Sequence, residues 1–200
     1  MSCNVLVIPE DPTYNGAILQ PLVERILEDC GKVNARVTVL TNPRVWGFEH
    51  ACGRIPAIVE RYAHFDLLLF LPDADGDDRS ALFERLESEA ARQHVALICC
   101  AAKEEVEVWL LAGHVAKLGR PWSEVRADKS VKEVVFAPFL SQYGDSRRAS
   151  GGRDLLMKDP DKLSGPLGAM SRTIRSSRSC LRVAEVPIMD RPRGLSHANS

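Results

Sequence analysis

Asp66-Leu67-Leu68-Leu69-Phe70-Leu71-Pro72-Asp73-Ala74-Asp75 decides the fold of this chain. From Leu67 to Leu71 every residue is apolar, and the run stops at a proline followed by acidic turn residues. A strand with one face in water alternates apolar and polar residues. A short continuous run is expected of a central parallel strand covered on both faces. Similar runs flank it at Val5-Leu6-Val7-Ile8, at Arg36-Val37-Thr38-Val39-Leu40 and at Val95-Ala96-Leu97-Ile98-Cys99-Cys100. Between them, apolar residues recur at helical spacing over 16–29 (Ile18, Leu19, Leu22, Val23, Ile26, Leu27), over 49–62 despite Pro56, and over 79–93 (Leu82, Phe83, Leu86, Ala90). Four strands alternating with helices predict an α/β fold, a Rossmann-like parallel sheet of about four strands with right-handed crossovers.

Further along, the pattern predicts a helix over 104–116, built around Val108, Trp109, Leu111 and Ala112, and a shorter one over 131–140 interrupted at Pro138. Trp109 reads as a core residue. From Ser164 onward the chain is rich in Ser, Gly, Pro and Arg and has no sustained apolar period. The expected organisation is an α/β domain over 1–115, a helical extension packed on it over 116–163, and a basic, largely disordered tail over 164–200.

Composition narrows the function classes. The 200 residues are 45% hydrophobic and 26% charged, values of an ordinary soluble globular protein, and no apolar run approaches the roughly 20 residues of a membrane span. The amino terminus lacks the basic flank and long apolar core of a signal peptide, so a cytoplasmic location without membrane attachment is expected. Six cysteines include no C-x-x-C pair and read as reduced small hydrophobes. The five histidines show no zinc-site spacing, and neither a Walker A nor a dinucleotide glycine fingerprint is present. The formal charge of −1 hides a division: residues 1–115 carry 10 Lys and Arg against 18 Asp and Glu, and residues 116–200 carry 16 against 9. The basic half is the one suited to phosphate contacts.

In an open parallel sheet the ligand crevice lies at the carboxyl ends of the strands. Here those ends are acidic. The first strand leads to Glu10-Asp11, the third to Asp73-Ala74-Asp75-Gly76-Asp77-Asp78, and the fourth to Glu104-Glu105-Val106-Glu107. Asp73 and Asp75 alternate across one residue and are expected to point the same way from an extended strand end, with Glu10 facing them. Convergent carboxylates repel unless a cation lies between them, and oxygen-only ligands suit Mg²⁺ or Mn²⁺. An EF-hand reading of the Asp-rich segment fails, because a strand precedes it and the glycine is displaced to Gly76. Glu104, Glu105 and Glu107 are read as first-turn helix residues, as ligands or as partners of the helix dipole.

A strand ending in Glu, followed two strands later by an apolar strand ending in Asp-x-Asp, resembles the TOPRIM domain shared by topoisomerases, DnaG-type primases and the overcoming-lysogenization-defect nucleases. The likeness covers roughly the first half of the chain. It is most evident with small bacterial TOPRIM-like proteins of nuclease type, through Glu105-Val106-Glu107-Val108-Trp109-Leu110-Leu111. The resemblance implies that Glu10 serves as general acid/base or metal ligand, that Asp73 and Asp75 are metal ligands, and that Glu105 and Glu107 add to a second metal position. Nuclease-type relatives often carry Glu-Gly-x-Ser/Thr-Glu after the first strand, where this chain reads Glu10-Asp11-Pro12-Thr13-Tyr14. The function so implied is a Mg²⁺-dependent phosphodiester enzyme, a nuclease acting on DNA or RNA, of a kind found in bacterial defence. The alternative is a non-catalytic, metal-dependent nucleotide- or nucleic-acid-binding regulatory module, with a protein partner left open. Arg153, flanked by Gly151-Gly152, and the series Arg172, Arg175, Arg178 and Arg182 are the candidate nucleic-acid contacts.

Overall fold

A computed structural model describes residues 3–158. The elements run β1 (Asn4–Ile8), α1 (Asn15–Asp29), β2 (Arg36–Val39), α2 (Phe48–Arg61), β3 (Leu67–Phe70), α3 (Ser80–Arg92), β4 (Leu97–Cys99) and α4 (Glu107–Ala112). Three short helices follow, α5 (Trp122–Val125), α6 (Ala137–Tyr143) and α7 (Arg153–Met157), with a 3₁₀ turn at Val115–Lys117 and a π-helical turn at Lys132–Phe136. The four strands form one all-parallel sheet in the order β2-β1-β3-β4. The architecture is α/β and Rossmann-like.

Every residue of β3 is buried, because each face of the sheet has its own core. Val5, Val7, Leu67, Leu69 and Ile98 join α1 and the helices after β4 in one apolar cluster. Leu6, Ile8, Leu68, Phe70, Leu97 and Cys99 join α2 and α3 in the other. The alternation of β1, β3 and β4 thus feeds two layers, whereas the edge strand β2 exposes Arg36 and Thr38. Trp109 lies in the first core. Helix α7 packs on α1, and α4 packs on both α1 and the π turn.

β1 and β3 are neighbours, yet β2 comes between them in the chain. The connection from β1 goes to one side of the sheet and the later ones go to the other, so the topological switch point, where such folds open a crevice, lies between β1 and β3. Glu10 follows the first of these strands and Asp73 the second.

Two helix expectations need correction. The helix expected over 104–116 is only Glu107–Ala112, followed by the 3₁₀ turn. The carbonyls of Lys103 and Glu104 accept bonds from the amides of Gly76 (3.2 Å) and Asp75 (3.3 Å), so they are committed to the Asp-rich loop rather than to a helical turn. Glu104 and Glu105 therefore precede α4, and only Glu107 stands in its first turn. Around Pro138 the chain is not interrupted. The π turn runs straight into α6, and Pro138, which has no N–H to donate to the turn before it, sits just past the π turn.

Of the described cysteines, Cys3, Cys99 and Cys100 are buried in the two cores, as small hydrophobes are. Among the described residues no helix is long and apolar enough to cross a membrane. The expected tail, with Arg172, Arg175, Arg178 and Arg182, lies outside the described residues.

Candidate metal centre

Pro72 ends the regular part of β3, but strand pairing resumes one residue later. The Pro72 carbonyl accepts from Ala102 N (3.0 Å), Ala74 N donates back to the Ala102 carbonyl (2.9 Å), and Asp73 and Ala102 form a parallel bridge. This extra bridge fastens the end of β3 to the acidic segment after β4. It is what brings Asp73 beside Glu105 and Glu107.

Asp73 is the hub. Its backbone N–H donates to Glu10 Oε1 at 2.7 Å, which closes the switch point from the β1 side. Its Oδ1 accepts from Val106 N at 2.6 Å, which fixes the turn entering α4. One carboxylate oxygen each from Asp73, Glu105 and Glu107 lies within 4.8 Å of the others. These three form a buried to half-buried acidic triad that could hold a divalent cation.

Two cations from distant sequence meet the triad. Lys132 Nζ, at the start of the π turn, lies 2.8 Å from Glu105 Oε2. Arg153 Nη2, the first residue of α7, lies 3.1 Å from Glu107 Oε1, with both side chains nearly inaccessible at 10% and 1% exposure. The Arg153 guanidinium is also held between the rings of Tyr14 (4.6 Å) and Phe136 (4.9 Å). The second oxygen of Glu107, Oε2, is buried with no hydrogen-bond partner.

A cleft of about 260 Å³ opens over this group, lined by Glu10, Asp11, Asp73, Asp75, Glu105, Glu107 and the two cations, together with Tyr14, Asn15 and Gly47. Six carboxylates face two cations there, so negative charge is in formal excess. The consequence appears in the protonation of Asp73. Burial, and then the charges of Glu10, Glu105 and Glu107, push its pKa up to about 9. Burial and the nearby Asp75 charge also raise Glu10 above the ordinary carboxylate range, against the bonds from Asp73 that pull it down. For Lys132, burial works against the charged form, but the Glu105 bond and the charges of Glu107 and Asp73 outweigh it and raise its pKa.

The donor set is all oxygen, which fits Mg²⁺, Mn²⁺ or Ca²⁺ and excludes a thiolate or imidazole zinc site at this place. Glu107 Oε2 independently points to a missing partner, since a buried carboxylate oxygen without a donor costs about 1–3 kcal/mol or more.

The other sequence candidates fall as follows. Glu10 touches the triad through the Asp73 amide rather than as a member of it. Asp75 lines the same cleft but is exposed, and it lies outside the triad. The extended alternation expected of Asp73 and Asp75 is broken: Asp75 has φ 52°, in the left-handed region that Asp tolerates in turns. Arg153, the glycine-flanked candidate for nucleic-acid contact, opens α7 and forms a buried wall of the cleft. Lys132 was not marked by the sequence at all, because its approach to Glu105 depends on how the helices after β4 fold back. Only the surplus of carboxylates, which demands counter-ions, could have signalled such a residue.

No protein-family model, no curated protein and no solved structure matches this chain.

Proposed function

We propose that this protein is a divalent-cation-dependent phosphodiester hydrolase of TOPRIM type, a nuclease. The observation that carries the reading is the triad of Asp73, Glu105 and Glu107 at the β1/β3 switch point, with Glu10 bonded to its centre. A divalent cation held there supplies Lewis acidity toward a phosphoryl oxygen. Lys132 and Arg153 stand at the same cleft as phosphate-directed cations, in positions suited to the charge that develops in an in-line displacement. Glu10, held above the ordinary carboxylate range, is the group suited to accept a proton from the attacking water. Asp75, exposed at the rim, can contribute an oxygen to a second cation.

A second reading has its own support. Lys132 and Arg153 each engage one carboxylate of the triad, which leaves a cation fewer oxygens than a hydrolytic centre uses and favours a non-catalytic, metal-dependent nucleotide- or nucleic-acid-binding module. Hydrolysis of single- and double-stranded oligonucleotides in Mg²⁺ or Mn²⁺, against Asp73→Asn, separates the two. Asn keeps the Oδ1 acceptor for Val106 N and so preserves the turn. Metal-dependent cleavage that disappears in Asp73→Asn supports the hydrolase. Metal-dependent binding with intact strands supports the binding module instead.

A further inference from the structure

The loop between β2 and α2 carries an exposed indole that packing does not explain. Val45 is buried at 2% exposure, and the Gly47 amide donates to the Glu10 carbonyl at 3.2 Å. Between these two anchors Trp46 stands 63% exposed. An indole joins a large apolar face to a polar N–H, the combination enriched at binding surfaces. His50 braces it from the first turn of α2, with ring centroids 3.6 Å apart and planes 13° from parallel, and the Trp46 amide faces His50 Nδ1 at 3.4 Å. Arg44 and Arg54, both exposed, lie before it in the loop and one helical turn beyond His50. Gly47, the next residue, lines the cleft, and Tyr14 on the α1 side of that cleft is 44% exposed.

We propose that Trp46, braced by His50 and one residue from the cleft-lining Gly47, is a nucleobase-stacking plate, and that the polymer bound there is single-stranded nucleic acid. The proposal rests on the phosphodiester reading of the cleft. It adds the substrate class, which the triad leaves open. An aromatic plate fixed beside a phosphate-handling site gains from a base whose face is bare, and in a duplex both faces of an internal base are already covered. Stacking is tolerant of base identity, so sequence preference at this position is weak.

The test is equilibrium binding of fluorescein-labelled oligothymidylate, oligouridylate, an abasic oligodeoxynucleotide and a blunt duplex to the full chain in Ca²⁺ buffer. Wild type binds the two base-bearing single strands tightest, and their order reports DNA or RNA preference. Trp46→Ala weakens them about tenfold, Trp46→Phe keeps most of the affinity, and the abasic strand is indifferent to both substitutions. The proposal is overturned by equal affinity of wild type and Trp46→Ala, by preference for the duplex or the abasic strand, or by no binding at all. Failure of the underlying metal reading has a different signature: wild type shows no calorimetric uptake of Mg²⁺, whatever stands at position 46.

Discussion

Asp73 and Arg153 dominate the electrostatics of the cleft at the scale of single residues. In metal-free protein Asp73 has a folded pKa of about 9, whereas an unfolded aspartate titrates near about 3.9. The folded state therefore holds the proton more tightly. Asp73's contribution is fully present below about pH 4 and is lost as pH rises toward 9. The melting temperature without metal should fall across that window, and the fall should shrink in Asp73→Asn or in saturating Mg²⁺. Arg153→Met leaves the buried Glu107 carboxylate uncompensated and should cost about 3–5 kcal/mol in urea unfolding. Added Mg²⁺ should recover part of that loss, and the double variant Arg153→Met, Glu107→Met should recover more, since it removes the stranded charge itself. At this scale the sequence was partly legible. Glu10 and Asp73 close strands whose order in an α/β sheet makes them neighbours, and Glu105 and Glu107 follow the next strand. Nothing local could place Lys132 or Arg153, because their partners lie 27 and 46 residues away.

Among the elements, α7 is the one whose docking completes the site. Its start is set by Gly152, with φ 88°, and a Cβ there would collide with the backbone N of Asp145 and come within 2.9 Å of its carbonyl oxygen. Below it, Asp154 receives Arg148 and the Ser150 hydroxyl, bonds that pull its pKa down to about 2 and tie the turn together. Gly152→Ala should therefore cost more than the roughly 1–3 kcal/mol of a left-handed non-glycine residue. It should also displace Arg153, so that the thermal shift with Mg²⁺ changes along with the stability. Gly152→Asn, which tolerates the left-handed backbone but keeps the clash, should behave like Ala; wild-type-like behaviour of either would show that α7 does not position the arginine. The strands were readable from their short apolar runs and the first three helices from their helical period, since burial acts on each and little else does. After β4 the pattern announced the helices around Trp109 and Phe136 but neither their ends nor the short elements α5 and α7. Their ends are set by long-range bonds, such as those from Asp75 and Gly76 to Glu104 and Lys103, that no local pattern announces.

Over the whole molecule the charge is divided, acidic through 1–115 and basic through 116–200. If the cleft takes nucleic acid as proposed, its negative charge leaves the basic part of the chain to attract the polyanion. Replacing Arg172, Arg175, Arg178 and Arg182 together with Ala should reduce the dependence of log affinity on log salt for a single-stranded oligonucleotide, by about 0.7 for each phosphate deprived of its arginine. On the proposed hydrolase reading, cleavage at saturating substrate should stay as it was. An unchanged slope would leave these arginines no part in binding. The claim on which all else rests is that the end of the β1/β3 crevice holds a divalent cation. Crystals soaked in Mn²⁺ and measured at an energy where manganese scatters anomalously test it most directly. The expected result is a peak among the carboxylate oxygens of Asp73, Glu105 and Glu107, with Lys132 drawn off Glu105. A map without a peak there, with Lys132 and Arg153 still on their carboxylates at saturating Mn²⁺, would contradict the claim.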